Sequence, residues 1–351
     1  MKILVMGGTR FVGKSLVGKL LSKNYDIDIF TRGNKSNPEK TNLIKGDRNN
    51  SEDIVKLRNG KYDVVFDISG RELEQTKLLI ENLDNSFQRY IYVSSAGVYK
   101  DNCELPLSEV DPIDPESRHK GKFETENWLK KQKIPFTSFR PTYIYGPGNY
   151  NKIENWFFER LFANKSIPIP GDGSLITQLG HVSDLTDVMI RCINFENSKN
   201  NIYNCSGEKG VTIKGLIYFC ANVLGLNQNE ISLRTFDYQK LDPKSRKGFP
   251  IRLNHYQTDI SKIKSDLEWA PTFDLLNGLK DSFVNDFNNK KSEEFDENSD
   301  NILFNLPNID AGKPSFVEFL RLEIINSLNK INDKDQKGIK LFLQRKAKGI
   351  K

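Results

Sequence analysis

The sequence predicts an α/β protein built on a parallel, doubly wound sheet, and three observations carry this. A short apolar run, Ile3-Leu4-Val5-Met6, is followed at once by Gly7 and Gly8. Phe11, Val12, Leu16, Val17, Leu20 and Leu21 then recur at helical spacing. Strand-like and helix-like stretches go on alternating to about residue 150, as strand–helix–strand units do.

The first run suits a strand buried on both faces. The turn after it reads Gly7-Gly8-Thr9-Arg10-Phe11-Val12-Gly13. Glycines let the backbone turn sharply and approach a pyrophosphate, while a helix N-terminus offers free N–H groups and partial positive charge. These seven residues are the candidate dinucleotide-binding turn; a tight turn with no ligand is the plain alternative. Arg10 stands where the three-glycine pattern has its middle glycine, and there it either reaches a cofactor phosphate or crowds it.

Residues 27–31 read as the second strand, ending in Thr31-Arg32-Gly33. An acid at this point would hold the ribose 2′-hydroxyl of NAD, whereas a cation suits the 2′-phosphate of NADP. Arg32 therefore favours NADP, unless it is an ordinary exposed loop arginine. A short strand over 43–45 leads to Gly46-Asp47-Arg48, and a helix over 51–58 is expected to take Ser51 as its N-cap. A strand over 62–68, a helix over 73–83 and a strand over 90–94 follow, the last ending in Ser94-Ser95. Ligands of such sheets sit at the carboxyl ends of the strands, where the glycine turn, Arg32, Asp47 and Ser95 all fall.

Beyond residue 150 the alternation loosens. A helix over 152–164 precedes Pro168, Pro170 and the turn Gly171-Asp172-Gly173. The expected division is a nucleotide-binding domain over 1–150, with strands also from 175–210, then a smaller mixed α/β domain over 151–287, closed by a helix over 273–287. Residues 288–310 are rich in Lys, Asn, Asp and Glu and read as a linker too polar to offset its ordering entropy. Phe316, Phe319, Leu320, Ile324, Ile325 and Leu328 fall at helical spacing. The chain then ends in Lys337, Lys340, Arg345, Lys346, Lys348 and Lys351, so 288–351 is an extra C-terminal tail with a basic end.

The 351 residues are 37% hydrophobic and 28% charged, with a net charge of +6. A pI near 8.9 and a mean hydropathy of −0.56 describe a polar, mildly basic chain. No apolar run approaches a bilayer span, and the first strand leaves no room for a signal peptide, so no membrane association and a cytoplasmic location are expected. Cys103, Cys192, Cys205 and Cys220 are scattered without a metal-ligand spacing and read as reduced thiols; no metal site is expected.

Six motifs in order make the chain resemble the extended short-chain dehydrogenase/reductase proteins, the NAD-dependent epimerase/dehydratase superfamily. They are the glycine turn, Ser94-Ser95-Ala96-Gly97-Val98-Tyr99, Arg140-Pro141-Thr142-Tyr143-Ile144-Tyr145-Gly146-Pro147-Gly148, Gly171-Asp172-Gly173 with His181-Val182-Ser183-Asp184, Tyr203-Asn204-Cys205-Ser206-Gly207, and Leu267-Glu268-Trp269-Ala270-Pro271. The resemblance spans about 1–287 and implies a Rossmann-type fold holding NADP or NAD. Redox members carry Tyr-x-x-x-Lys on a helix with a serine or threonine, the lysine lowering the tyrosine's pKa. Here the stretch is Arg118-His119-Lys120-Gly121-Lys122. Lys122 fits the lysine and Ser95 the serine, but Arg118 stays protonated and cannot replace the tyrosine as proton carrier. Ser94 joins Asp47, Arg32 and Lys122 among the expected cofactor-binding residues.

A Gly-Gly-Thr-Arg-Phe turn with Arg-His-Lys-Gly-Lys is similar to the atypical branch holding the chloroplast stem-loop-binding proteins and their cyanobacterial relatives. That resemblance implies mRNA binding, with endoribonuclease activity in some members. Arg118, His119, Lys120 and Lys122 form a basic cluster suited to phosphates, and His119 is a candidate acid or base on a ribose 2′-hydroxyl. Ser95, His119 and Lys122 are the candidate catalytic residues. The competing readings are an NADP-dependent nucleotide-sugar epimerase, dehydratase or reductase, with Tyr99 or Tyr143 as substitute proton carrier, and an inert dinucleotide-sensing subunit. A homo-oligomer or ribonucleoprotein assembly is the expected context. His181 reads as structural, His255 has no identified partner, and Trp156, Phe157 and Phe158 read as core.

Overall fold

The computed structural model describes residues 1–83, 87–101, 104–289 and 298–304. The elements of the first half are β1 (Lys2–Met6), α1 (Phe11–Ser22), β2 (Asp26–Thr31), β3 (Asn42–Lys45), α2 (Ser51–Ile54), β4 (Val64–Asp67), α3 (Leu73–Asn82), β5 (Arg89–Val93), α4 (Lys120–Lys131), β6 (Phe136–Pro141) and β7 (Tyr143–Tyr145). The second half holds α5 (Glu154–Phe162), β8 (Ile167–Pro170), β9 (Ile176–Thr177), β10 (Leu179–His181), α6 (Val182–Arg191), β11 (Asn201–Cys205), β12 (Val211–Thr212), α7 (Ile213–Val223), β13 (Leu233–Phe236), α8 (Ser261–Leu267), α9 (Leu275–Asn285) and α10 (Asn298–Leu303).

Seven strands form the parallel, doubly wound sheet in the order β11-β6-β5-β4-β1-β2-β3. One face packs Leu16, Val17 and Leu20 of α1 with Leu185, Val188 and Met189 of α6 against Ile3, Val5, Ile27 and Ile29. The other packs Leu79 and Ile80 of α3 and Leu129 of α4 against Leu4, Met6, Val65, Tyr90 and Tyr92. Both faces being covered explains why these strands read as continuous apolar runs. The smaller domain has its own core, in which Trp156, Phe157 and Phe158 are buried beside Ile167, Leu216, Phe249 and Phe283.

Two local readings are corrected, at Ser51 and at His255, and one strand the sequence left unassigned is added. The cap of α2 is Asn50, whose side chain accepts the Glu52 N–H at 3.0 Å, because Ser51 is already helical, and the second half of the expected 51–58 helix tightens to a 3-10 turn over Val55–Leu57. Pro168 and Pro170 lie in β8, paired parallel with β13; their missing N–H groups alternate with the bonding ones, as when Ile167 N donates to Ser232 O at 2.8 Å. His255 has a partner, since its Nδ1 accepts the Ile176 N–H at 3.1 Å.

The expected linker over 288–310 contains packed chain. Leu303 is buried in the second core, Phe304 meets Phe236 edge-on, Arg234 lies 3.8 Å over the Phe304 ring, and Asp300 pairs with buried Arg160, Nε to Oδ1 at 3.0 Å. Spacing missed it because only a few apolar residues do the packing. Residues 290–297 and 305–351, with the basic end, and Cys103 lie outside the described residues. Truncation after residue 287 is expected to lower the urea midpoint markedly, whereas truncation after 304 keeps these contacts. Burial of Leu303 alone contributes about 1.5–3 kcal/mol. Equal midpoints for the two truncations would show that 298–304 adds nothing.

Candidate functional site

The glycine turn is built as the sequence requires. Gly7 has φ +100°, in the region that favours glycine, and donates its N–H to Phe30 O at 3.0 Å. A Cβ on Gly13 would collide with the Gly7 carbonyl oxygen and lie 2.9 Å from Gly8 Cα. Helix and strand thus meet backbone to backbone. Arg10 occupies the N-cap of α1 in extended conformation, and among the described residues no side chain caps the free N–H groups there.

Beside the turn, β2 and β3 end together, with Gly46 N donating to Thr31 O at 3.0 Å. This brings exposed Arg32 and half-buried Asp47 to one edge. The Asp47 carboxylate accepts the Asn49 N–H at 2.9 Å, which shapes the loop. Arg48, which sequence reasoning left without a role, forms a two-pronged ion pair with buried Asp67, at 2.7 and 3.0 Å, and donates to Ser69 Oγ at 2.8 Å. Burial opposes the Asp67 charge, but Arg48, the Tyr90 hydroxyl and the Gly70 N–H outweigh it and hold the carboxyl at about 2. Ser69 in turn backs Gly7.

At the end of β5, buried Ser94 has an Oγ without a hydrogen-bond partner among the described residues. Ser95 Oγ accepts the Gly97 N–H at 3.0 Å. Ser117 Oγ donates to Gly97 O at 2.7 Å and accepts the His119 N–H at 3.1 Å, tying the start of α4 to the β5 end. His119 packs on Gly97: the position of a Cβ there is 2.9 Å from His119 Nε2 and 3.0 Å from Ser95 Oγ. Lys122 donates from Nζ to Val93 O at 2.6 Å and lies 5.4 Å over the Tyr92 ring. Burial pushes its ammonium down to about 8 against the opposing pull of Asp67.

Arg118 is exposed and donates from Nε to His119 Nε2 at 3.0 Å. Burial, with the charges of Arg118, Lys122, Arg252 and Arg71, pushes the His119 imidazole down to about 4. At neutral pH it is uncharged and its Nε2 is occupied, so the geometry disfavours the expected acid–base role. Arg252 joins from the second domain, its Nη2 donating to Gly97 O at 3.4 Å and its Nη1 3.4 Å from Asp101. Arg71 and Arg252 were missed because they lie far from residue 118 in sequence. Lys120, by contrast, is separated from the group: successive helical residues are 100° apart, so inward-facing Lys122 leaves Lys120 exposed on another face of α4.

Both substitute tyrosines are drawn into hydrogen bonds. Tyr99 is buried, donates to Asn204 Oδ1 at 2.6 Å and accepts from Arg140 Nη1 at 3.0 Å; burial pushes its hydroxyl up to about 12. The Tyr143 hydroxyl accepts the Arg252 N–H at 2.7 Å and is also raised by burial. His181 is buried, caps α6 from Nδ1, stacks on Phe273 at 3.9 Å and sits 3.2 Å from Asp281, a structural role.

The residues present fit a nicotinamide dinucleotide. The cradle that a Cβ on Gly13 would fill and the uncapped start of α1 suit its diphosphate, while the unpartnered Ser94 Oγ and Lys122 stand two strands away along the sheet, about 10 Å, at its far end.

Residues 3–206 match the model of the NAD dependent epimerase/dehydratase family. The chloroplast stem-loop binding protein of 41 kDa b from Arabidopsis thaliana is 43% identical over 306 residues, covering 82% of this chain and 79% of that protein. UDP-glucose 4-epimerase from Thermotoga maritima superposes with a TM-score of 0.68 at 19% identity, over 81% of this chain and 98% of the other. dTDP-glucose 4,6-dehydratase from Bacillus anthracis gives 0.69 at 19% identity, over 83% and 97%. Both structures share the fold. The expected cytoplasmic location is corrected by the Arabidopsis relative, whose name is chloroplastic. Among the described residues no helix is long and apolar enough to cross a membrane.

Proposed function

The chain belongs to the NAD dependent epimerase/dehydratase family, and we propose that it uses this scaffold to bind RNA. The observation that carries the reading is the meeting of Arg118 and Arg252 at His119 and Gly97, where Arg71 and Lys122 add their charges. The proton-carrying tyrosine of the redox members would stand at Arg118. Arg71 and Arg118 are exposed and Arg252 is half-buried, with Lys122 behind them; cations so placed suit a phosphate backbone, and neutralising each phosphate releases condensed counterions. The 43% identical relative is named for stem-loop binding, which supports RNA as the ligand and a plastid as the location.

Dinucleotide binding accompanies this reading. Gly7, Gly8, Thr9, Phe11, Val12 and Gly13 would hold the diphosphate, with Arg32 and Asp47 at the adenosine half and Ser94 and Lys122 at the nicotinamide half. Exposed Arg32 favours NADP. A bound dinucleotide supplies hydride chemistry, but Arg118 cannot exchange the accompanying proton and both nearby tyrosines are engaged. RNA binding is therefore favoured over epimerase or reductase turnover, and over cleavage by His119.

Arg118→Ala with Arg252→Ala is expected to flatten the log–log salt dependence of single-stranded RNA binding by about 1.4, at roughly 0.7 per lost contact. Affinity in the wild type should be level between pH 6 and 7, because His119 is already neutral there, and fall as pH rises through about 8, where Lys122 loses its proton. Fluorescence anisotropy across salt and pH measures both. An unchanged slope and affinity in the double variant would move the RNA site off this cleft.

A further inference from the structure

Tyr150 has no place in the sequence-based readings, yet it sits on the phosphate turn. The Arg10 guanidinium carbon lies 3.8 Å from the centre of its ring, and the Phe11 ring meets it edge-on at 6.3 Å. Tyr150 is nevertheless 54% exposed, so burial alone does not account for the placement. It follows the loop after β7, in which Gly146 and Gly148 have φ of +123° and +83°. Buried Glu154 anchors that loop, accepting the Gly146 N–H at 2.9 Å and the Asn149 Nδ2–H at 3.0 Å, and is itself fixed by Ser282 Oγ at 2.7 Å. The loop after β7, at the end of the first domain, thus presents a tyrosine to Arg10 and Phe11.

The chemistry of the pair is directional. A guanidinium stacked through its face keeps its N–H groups at the edge, free for another partner, and their fork matches phosphate oxygens. No carboxylate among the described residues pairs with Arg10, and its guanidinium cannot accept the free N–H groups at the start of α1. The charge and those N–H groups call for the same anion.

Resting on the dinucleotide reading above, we propose that Arg10 binds the diphosphate of the nucleotide and that Tyr150 is a positioning residue, holding the guanidinium over the turn from the loop after β7. The ligand class is a nucleoside diphosphate or its ester. The arginine in place of the middle glycine is then a recognition element, and Tyr150 lowers the entropy lost when its long side chain is ordered on binding.

The test is calorimetric titration of the full-length chain with NADP, ADP and adenosine, for the wild type and for Arg10→Gly, Tyr150→Ala, Tyr150→Phe and the double variant Arg10→Gly/Tyr150→Ala. Arg10→Gly should weaken NADP and ADP about tenfold, lower the salt dependence and leave adenosine unchanged. Tyr150→Ala should weaken both phosphorylated ligands about two- to fivefold, while Tyr150→Phe, which keeps the stacking face, should bind as the wild type does. The double variant should bind no more weakly than Arg10→Gly, because Tyr150 acts only through Arg10. Tighter or unchanged binding by Arg10→Gly would overturn the proposal, as would equal losses for Tyr150→Ala and Tyr150→Phe. A wild type that takes neither NADP nor ADP would instead remove the dinucleotide reading, and this proposal with it.

Discussion

Arg140→Met is expected to destabilise the protein by about 3–5 kcal/mol, the usual cost of leaving one member of a buried ion pair behind. Arg140, on β6, donates to Glu126 of α4 from Nη2 at 2.7 Å and from Nε at 3.2 Å, and both side chains are shielded from solvent. Ser138 Oγ at 2.8 Å would be the side-chain donor left to the Glu126 carboxylate. The same guanidinium reaches Tyr99 Oη and Glu109 O, so its loss also frees the loop after β5. Denaturant unfolding measures the cost. Replacing both partners, Glu126→Leu with Arg140→Met, should recover most of it, since an apolar pair leaves no charge stranded. A single variant within 1 kcal/mol of the wild type would show that water reaches this pair. RNA affinity should fall in parallel, because α4 carries Lys122 and begins at His119, and the pair fixes that helix against the sheet.

Gly13→Ala is expected to remove dinucleotide binding, by at least a hundredfold, and to cost about 1–3 kcal/mol of stability through overpacking. The new methyl would meet the Gly7 carbonyl oxygen, Gly8 Cα and Ile68 Cδ1. Two of these are backbone, so the turn itself must open, and the cradle for the diphosphate opens with it. Gly18→Ala is the matched control on the same helix. Nothing lies within 4 Å of a Cβ at that position, and alanine there should stabilise by about 0.5–1 kcal/mol. Titration with NADP and thermal melts of both variants decide the matter. Gly13→Ala that binds like the wild type would mean that the ligand does not sit on this turn.

What the sequence by itself determined is what local spacing encodes. Apolar runs marked β1, β4 and β5 because their strands are covered on both faces, and helical spacing marked α1, α3 and the core role of Trp156, Phe157 and Phe158. The glycine turn was legible because only glycine permits its geometry at Gly7 and Gly13. That an arginine stands where the resemblance puts a proton-carrying tyrosine was legible at Arg118, since that is the chemistry of one side chain.

Tertiary structure alone decided which charges act together. Arg71, Arg118, Lys122 and Arg252 are scattered over more than half the chain and meet because sheet order and the second domain bring three loops to the end of β5. Lys120, a neighbour in sequence, is turned out of the group by the helix that orients Lys122. Arg48 and Asp67, Arg10 and Tyr150, and the packing of Asp300, Leu303 and Phe304 on the second core have the same origin. Each joins residues with no shared period, and a pairing energy between distant positions leaves no trace in local pattern.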